Sequence, residues 1–411
     1  MTPPILIVGA GQAAVQTAEA LRAGGYEAPI TLLGDETHGP YHRPPLSKAW
    51  LAGEMDAAQL VMRAPEMLAR KAIGLRTGCK VTAIDRTGRT VALADGSTLP
   101  YSQLVLATGS TPRTLPLPGA GAQGVLALRS RDDASAIAAR MAVCIEKQLP
   151  VVVIGGGFIG LEVAATAHKK GLPVTVLEAA PRLLGRVLAP VLSDWYAQLH
   201  RGHGVQLVLG AQIAAITHDA GNTVTGVRMI DGTVYPAGLV VVGIGVSAND
   251  ELARTAGLEC ERGIVVDACG RTSDPAIVAA GDCTARRLSD GSLLRLESVN
   301  NATEQGKSAA AALLGQERPF SSTPWFWSDQ YDKKLQMAGL SMGANRWAVR
   351  GDMAAGSFTV YHYRGDQLIA ADSVSASKDH LQVRKLLDAG VSPTPEQAGD
   401  TAFDLGRLLP R

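Results

Sequence analysis

The sequence predicts an α/β protein with two parallel strand–turn–helix–strand units, followed by a smaller α+β segment. The stretch Val151–Glu178, VVVIGGGFIGLEVAATAHKKGLPVTVLE, runs from an apolar strand through a glycine turn into an Ala-rich helix and a second strand. The segment beginning at Ile5 repeats this order around Gly9-Ala10-Gly11. Beyond about Thr323, hydrophobic residues alternate as in antiparallel strands. These observations predict two doubly wound, Rossmann-like domains and a C-terminal α+β domain.

In the second glycine turn, Gly155–Gly160, each glycine has its own physical role. Gly155 makes the tight turn, Gly157 lets the backbone approach a pyrophosphate, and Gly160 lets the helix pack closely against the strand. The N-terminus of the helix supplies N–H groups and positive potential for phosphates. Glu178 ends the following strand, where a carboxylate can bind a ribose 2′-hydroxyl. The combination favours a dinucleotide site over an ordinary glycine-rich turn.

The first glycine turn, Gly9–Ala14, carries the same pattern at the start of the chain. Alanine suits the third small position because that position requires close packing rather than an unusual φ. Either Asp35 or Glu36, which follow the next strand, could bind a ribose hydroxyl, and their late spacing leaves the choice open. A dinucleotide site at the N-terminus is typical of the domain that holds a permanent cofactor. The candidate binding residues of this turn are Gly9, Gly11 and Ala14.

Two further stretches place charged side chains where a cofactor could lie. The prolines of Tyr41–Lys48, YHRPPLSK, restrict the backbone, so Arg43 and Lys48 sit on a rigid frame that could contact an anionic cofactor. The alternative is a solvated turn. Asp282 directly follows a glycine at the end of a strand, where its carboxylate can reach a sugar-alcohol hydroxyl.

Two buried strands that are each followed by glycine, Leu104–Ala107 and Leu239–Ile244, indicate the hinge crossings of one domain inserted into another. The predicted domains are a discontinuous first dinucleotide domain at 1–113 and 247–323, an inserted second one at 114–246, and a C-terminal domain at 324–411. Before the helix that follows Arg129, Ser130, Asp132 or Asp133 can act as the cap. The tail after Pro393 is expected to be less ordered.

Composition limits the possible function classes. A formal net charge of +1 gives no global field that would attract nucleic acid or a membrane. The five cysteines show neither CxxC nor metal-ligand spacing, so we expect reduced thiols and no metal. No charge-free apolar run reaches about 18 residues, and the start MTPPILIVGAG lacks a charged n-region. We therefore expect no membrane span, no signal peptide and a cytoplasmic location.

The chain resembles the FAD-dependent NADH:ferredoxin reductases of bacterial oxygenase systems, flavoproteins of the glutathione-reductase type with two dinucleotide-binding domains. RPPLSK, the second glycine turn, the AxGD element and PWFWSDQY form a specific combination. His42 departs from the acidic residue common in the family, which puts one loop contact in doubt. The matching motifs are Gly9–Ala14, Tyr41–Lys48, Ala107–Arg113, Gly155–Glu178, Ala279–Asp282, Glu297–Val299 and Trp325–Tyr331.

The resemblance implies a role for each matching residue. Lys48 is implied to lie near the isoalloxazine, Asp282 to bind the ribityl chain, and Val299 to support the pyrimidine edge through its backbone. Trp327 is implied to lie near the flavin or the edge where a redoxin docks. The further residues implied to bind FAD are Gly9, Gly11, Ala14, Asp35 or Glu36, Arg43, Ala107, Thr108, Gly109 and Arg129. Those implied to bind NADH are Gly155, Gly157, Gly160 and Glu178.

The implied function resolves a mismatch in electron number. NADH gives two electrons as a hydride, an iron–sulfur protein takes one at a time, and a flavin can do both. Lys48 and Glu162 are the candidate catalytic residues, as an ion pair on the flavin side. The alternative for Glu162 is a carboxylate stabilised by its helix dipole. Because Glu178 would repel a 2′-phosphate, NADH is the expected donor, although Arg182 lies nearby.

The expected partner is an acidic [2Fe–2S] ferredoxin that serves a haem-thiolate monooxygenase or a Rieske-type dioxygenase. The basic pairs Arg286-Arg287 and Lys333-Lys334 are candidate docking points. We expect a monomer or a weak homodimer. The alternatives are a rubredoxin reductase, an NADH-dependent small-molecule reductase, and a flavin-bound interaction protein like apoptosis-inducing factor. Disulfide reductases are disfavoured because residues 34–50 contain no cysteine.

Overall fold

The computed structural model describes residues 3–410, which form two compact units. The first unit comprises the chain up to His42, Ala57–Thr111 and Val246–Ser322. The second comprises Arg43–Asp56, Pro112–Gly245 and the chain from Thr323 onward. The segment 43–56 thus groups with the second unit, whereas the sequence assigns it to the first dinucleotide domain. The division by cofactor stays a prediction, because compactness does not show what a segment binds.

A five-stranded parallel sheet organises the first unit. In spatial order its strands are Ile277–Ala279, Gln103–Leu106, Ile5–Val8, Ile30–Leu33 and Ile73–Arg76. The three central strands consist mainly of valine, leucine and isoleucine and are mostly buried, as expected for a sheet covered on both faces, whereas the edge strand Ile73–Arg76 is partly exposed. Smaller sheets of the first unit are built from the strands Val81–Asp85, Thr90–Leu93, Thr98–Pro100, Ser110–Pro112, Val246–Ala248, Ile264–Val266, Thr284–Arg287 and Leu293–Leu294. Its helices are Gln12–Ala23, Ala57–Leu60, Pro65–Arg70, Glu251–Thr255 and Val299–Leu313.

The second unit contains another five-stranded parallel sheet. Its order is Gln206–Leu209, Val174–Glu178, Val151–Ile154, Leu239–Val242 and Val125–Ala127. An antiparallel sheet of Ile213–His218, Val224–Met229 and Val234–Pro236 accompanies it. The helices that accompany these two sheets in the second unit are Ala49–Ala52, Arg131–Glu146, Phe158–Lys169 and Pro190–Gly202, with a 3₁₀ turn at Pro44–Ser47. Ser130 caps the helix Arg131–Glu146 in a reciprocal capping box with Asp133, which stabilises the helix start.

The C-terminal part of the second unit is an antiparallel sheet packed against helices. In spatial order its strands are Trp325–Gln330, Lys333–Gly339, Gln367–Val374, Ser357–Arg364 and Arg346–Asp352. The helices are Ser377–Asp388 and Pro395–Gly399, with a 3₁₀ turn at Leu405–Leu408. Side chains from the sheet and these helices share one hydrophobic core. Two parallel-sheet domains and a C-terminal α+β part confirm the predicted α/β fold class.

The structure corrects the prediction of a less ordered tail. Thr394 caps the helix Pro395–Gly399 in a capping box with Gln397, and Ala398 and Leu405 are fully buried. The sequence shows proline and polar residues there, and these mark a helix start rather than disorder.

The aromatic stretch Trp325–Gln330 forms a strand at the edge of the C-terminal sheet, and its aromatic residues favour the strand conformation.

Candidate functional site

The first glycine turn fits a phosphate group. Gly9 has φ +119°, and a Cβ there would lie 2.2 Å from the Ala107 carbonyl oxygen, so only glycine is compatible. A Cβ on Gly11, in contrast, would meet no atom of the described chain within 4 Å. Within residues 3–410, no side chain caps the helix that Gly11 precedes. Its first N–H groups therefore face a space that an anion can enter.

The second glycine turn repeats this geometry in the other unit. Gly155 has φ +110°, and a Cβ there would lie 2.4 Å from the Gly243 carbonyl oxygen. A Cβ on Gly160 would lie 2.2 Å from the Gly155 oxygen, so close helix–strand packing explains this glycine. A Cβ on Gly157 would have its nearest neighbour, the Gly243 oxygen, at 3.9 Å. As in the first turn, the space beside the backbone therefore lies at the middle glycine, here Gly157.

Glu178 lies against the second glycine turn. Its carboxylate accepts hydrogen bonds from the Gly156 N–H at 2.5 Å and from the Ala180 N–H at 2.7 Å. Arg182 turns into its own loop, where it donates to the oxygens of Gly185, Leu188 and Ser193. Near this turn, Glu178 thus places a carboxylate, while the Arg182 guanidinium is hydrogen-bonded within its own loop.

Several predicted residues meet in the first unit. The Asp282 carboxylate accepts a hydrogen bond from Ser110 Oγ at 3.1 Å. A Cβ on Gly281 would lie 3.0 Å from Ala13 Cβ, which places the AxGD segment beside the first glycine turn. Thr108 Oγ1 donates to the Asn249 carbonyl oxygen at 2.6 Å.

The helix that begins at Val299 joins this group. Ser298 caps it by accepting from the Asn301 N–H, and Gln12 donates to Thr303 Oγ1 at 3.1 Å. Gly306 lets the helix approach the first one closely, because a Cβ there would lie 3.0 Å from the Ala13 oxygen. The residues brought together in the first unit are Gly9, Gly11, Ala14, Ala107, Thr108, Gly109, Asp282 and Val299.

Asp35 and Glu36 both follow the strand Ile30–Leu33, as predicted. Asp35 is exposed, whereas Glu36 is half-buried and accepts a hydrogen bond from the Tyr41 hydroxyl. Both carboxylates therefore remain candidates for the ribose.

The predicted ion pair between Lys48 and Glu162 is present in the second unit. Lys48 Nζ lies 2.7 Å from Glu162 Oε2, and the glutamate side chain is 5% exposed. Ser47 Oγ donates to the same oxygen at 2.5 Å, and Ser328 Oγ donates to Oε1 at 2.6 Å. Glu162 is the fifth residue of the helix Phe158–Lys169, and these three donors lie outside that helix. The helix dipole alone therefore does not explain this buried carboxylate.

Two more candidates of the second unit contact their neighbours in defined ways. Arg43 and Arg129 both belong to the predicted cofactor-binding residues. The Arg43 guanidinium donates a hydrogen bond to the Arg129 carbonyl oxygen at 2.9 Å, which links the two residues. Trp327 is half-buried and stacks on Trp325, with ring centroids 5.4 Å apart. Phe326 contacts Phe158, the first residue of the helix that carries Glu162.

The cysteines do not form a redox pair. All five are free, and Cys283, the one next to Asp282, is fully buried. Burial raises the pKa of its thiol, which keeps it protonated and unreactive. Within residues 3–410, no cluster of three or more histidine, cysteine or acidic residues can hold a metal ion. Over the same residues, no helix is long and apolar enough to cross a membrane.

Sequence comparison then identifies the family. The family described as pyridine nucleotide-disulphide oxidoreductase matches residues 3–306, and the reductase C-terminal family matches residues 325–409. The chain belongs to the pyridine nucleotide-disulphide oxidoreductases. Membership implies FAD and NAD(H) as cofactors, and it confirms the glutathione-reductase type of fold.

The relatives narrow the family to ferredoxin reductases. Rhodocoxin reductase from Rhodococcus erythropolis is 44% identical over 99% of this chain and 94% of that protein. The crystal structure of the ferredoxin reductase for the CYP199A2 system from Rhodopseudomonas palustris is 44% identical, with a TM-score of 0.94 over 99% of both chains. The reductase of a covalent putidaredoxin reductase–putidaredoxin complex is 42% identical, with a TM-score of 0.93 over 99% of this chain and 98% of that one.

Proposed function

We propose that this chain is an NADH:ferredoxin oxidoreductase that works with an oxygenase. The observation that carries the proposal is the presence of two glycine turns in one chain, each of which has space beside its middle glycine, Gly11 or Gly157, where a phosphate group could bind. Two dinucleotides fit an enzyme in which one cofactor delivers electrons to another. Bound FAD supplies the chemistry of accepting a hydride from NADH and releasing electrons one at a time.

The residues of the first unit are proposed to hold FAD. Gly11 and the N–H groups after it would bind the pyrophosphate, and Asp282 would bind the ribityl hydroxyls. Asp35 or Glu36 would bind the adenosine ribose, and Val299 would present its backbone to the pyrimidine edge. Gly9, Ala14, Ala107, Thr108 and Gly109 shape the backbone around this position. Arg43, Arg129, Lys48 and Trp327, which lie in the second unit, are further proposed cofactor contacts.

The second glycine turn is proposed to bind NADH. The N–H groups after Gly157 would hold its pyrophosphate, and Glu178 would accept from a ribose hydroxyl. The carboxylate disfavours a 2′-phosphate by charge, and Arg182 is bonded within its own loop instead of offering a cation. We therefore expect a preference for NADH over NADPH.

Lys48 and Glu162 are the proposed catalytic residues. A half-buried lysine paired with a buried glutamate provides a fixed positive group whose charge does not have to reorganise during hydride transfer. Ser47 and Ser328 complete the hydrogen bonds of the carboxylate, so that neither oxygen of this buried group lacks a donor. The proposed part of Lys48 and Glu162 in the reaction is therefore to hold a charge in a fixed position rather than to transfer protons.

The proposed partner is an acidic [2Fe–2S] ferredoxin, by analogy with the relative that was crystallised with putidaredoxin. Lys334 is exposed and suits a docking surface. Arg286 suits it less, because its guanidinium donates to the Phe320 oxygen and stacks on the Phe320 ring. Arg287 pairs with Glu259. A monomer or weak dimer in the cytoplasm completes the proposal, since NADH is an intracellular donor and all five thiols are free.

The test is NADH-dependent reduction of cytochrome c by the purified yellow protein, with and without a panel of [2Fe–2S] ferredoxins and a rubredoxin. At least one ferredoxin is expected to stimulate the rate strongly. Stimulation by rubredoxin alone would indicate a rubredoxin reductase. No stimulation by any carrier, with slow NADH oxidation, would favour a small-molecule reductase or a flavin-bound interaction protein.

A further inference from the structure

The Glu162 carboxylate is the end of a buried chain of hydrogen bonds that leads away from Lys48. Ser328 Oγ donates to Glu162 Oε1 at 2.6 Å and accepts from Gln330 Nε2 at 3.2 Å. Gln330 Oε1 lies 2.9 Å from His200 Nε2, and the other ring nitrogen of His200 lies 3.0 Å from the Tyr331 hydroxyl. Glu162, Ser328, Gln330 and His200 are each at most 5% exposed.

The bonds of this chain run in one direction. Burial lowers the pKa of His200 to about 4, so the ring is neutral near pH 7 and carries one N–H. That N–H donates to Gln330 from Nε2, so Nδ1 accepts from Tyr331. Each of these hydrogen bonds therefore donates toward Glu162, and the series ends on its carboxylate. Since the Gln330 amide does not pass protons readily, the chain orients the carboxylate rather than conducting protons.

Three elements of the second unit contribute to this arrangement. His200 lies on the helix Pro190–Gly202, Ser328 and Gln330 lie on the strand Trp325–Gln330, and Glu162 lies on the helix after the second glycine turn. Ser47, which donates to Glu162 Oε2, accepts at its carbonyl oxygen from Thr166 Oγ1 of the same helix as Glu162, at 2.8 Å. Both carboxylate oxygens of Glu162 thus have a serine donor.

We propose that Ser328, held by Gln330 and His200, is a positioning residue that fixes Glu162 for its ion pair with Lys48. The proposal rests on the proposed function, in which that pair serves hydride transfer. Without the hydroxyl, Oε1 would lose its donor in a buried place, where an unmet carboxylate oxygen is costly. The carboxylate would then rotate to share its remaining donors, and Lys48 would lose its fixed partner.

The test compares Ser328→Ala with the conservative Ser328→Thr. Ser373→Ala is the matched control, because Ser373 is almost equally buried in the same sheet and, among residues 3–410, its side chain bonds only to Thr359, whose Oγ1 donates to Ser373 Oγ at 2.9 Å. The first readout, which does not depend on turnover, is the rate at which acetic anhydride labels the Lys48 amine. Mass spectrometry measures this rate relative to labelling of Lys169. The second readout is the rate of flavin bleaching by NADH in single turnovers.

In Ser328→Ala, we expect Lys48 to be labelled several-fold faster and flavin reduction at saturating NADH to slow by about tenfold. The NADH concentration for half-saturation should stay unchanged, because the hydroxyl does not contact the dinucleotide turn. Ser328→Thr should restore both values, and Ser373→Ala should match the wild type. If Ser328→Ala does not fold, Gln330→Met should produce the same faster labelling to a smaller degree.

Wild-type labelling of Lys48 in Ser328→Ala, or in Gln330→Met where that variant replaces it, would overturn the positioning role. A rise in the half-saturating NADH concentration with no change in the rate of flavin reduction at saturating NADH would also overturn it. Failure of the proposed function would look different, because it would already appear in the wild type, as a flavin that NADH does not bleach or that no ferredoxin reoxidises. The labelling comparison decides the positioning role in either case.

Discussion

The contrast between the first and middle glycines of the second turn gives a sharp prediction. Gly155→Ala should destabilise the protein, whereas Gly157→Ala should leave it folded and weaken NADH binding. Gly155 has φ +110°, and its added Cβ would lie 2.4 Å from the backbone oxygen of Gly243, which cannot move away cheaply. Gly157 has φ −83° and ψ 177°, ordinary extended angles, and space for a Cβ.

The magnitudes follow from these two environments. An unfavourable backbone conformation costs about 1–3 kcal/mol. The contact with Gly243 adds to this cost, so Gly155→Ala should lose at least about 3 kcal/mol of unfolding free energy. Gly157→Ala should lose about 1 kcal/mol, since alanine is a poorer N-cap residue than glycine but its Cβ meets no clash there. A methyl group between the backbone and the pyrophosphate should weaken NADH binding about tenfold or more, which corresponds to about 1.4 kcal/mol.

Urea unfolding followed by circular dichroism measures the first quantity, and titration with NADH measures the second. Gly11→Ala serves as a parallel case in the other unit and should weaken retention of FAD while leaving NADH binding to the loaded protein unchanged. A Gly157→Ala variant that binds NADH as tightly as the wild type would refute the assignment of the open side to the pyrophosphate. Equal stability of Gly155→Ala and the wild type would refute the steric argument.

Three further predictions concern charged and titratable groups. Glu162→Gln should slow flavin reduction by NADH at least about tenfold and cost about 1–2 kcal/mol in urea unfolding, because Lys48 loses its partner but can reach solvent. His200 has a pKa of about 4 when folded against an ordinary value of 6.5, so its contribution is complete above pH 6.5 and falls by about 3 kcal/mol as the pH drops to 4. His200→Gln should therefore flatten the decrease in stability between those pH values, and an unchanged slope would contradict this. Glu178→Gln should reduce the preference for NADH over NADPH about tenfold, measured as the ratio of kcat/KM values, without making NADPH the better donor while Arg182 stays bonded in its loop.

The sequence predicts the two glycine turns well because their requirements are local. A strand, a positive-φ glycine, an open middle glycine and a helix follow one another within a few residues, so composition and order suffice. The cap at Ser130 is predictable for the same reason, since its partner Asp133 lies three residues away. The order inside the C-terminal tail is local too, because Thr394 caps a helix that begins at Pro395, but the expectation of a less ordered tail after Pro393 overlooks this helix start.

The surroundings of Glu162 are not predictable in this way. The pair with Lys48 is expected as an ion pair on the flavin side, but the further donors to Glu162, Ser47 and Ser328, carry no sequence signal. Ser328 lies 166 positions from Glu162, and serine is compatible with any solvated strand. Asn249, which bonds Thr108 through both its backbone and its side chain, is missed for the same reason. Only the three-dimensional structure brings such residues together.

The most direct test of the central claim is an anaerobic titration that counts electrons. One equivalent of NADH should bleach the flavin completely, and the reduced protein should then be reoxidised by two equivalents of an oxidised [2Fe–2S] ferredoxin. Bleaching by NADH followed by this one-to-two stoichiometry would support the conversion of a hydride into single electrons. A flavin that NADH reduces but that no ferredoxin reoxidises would contradict the account.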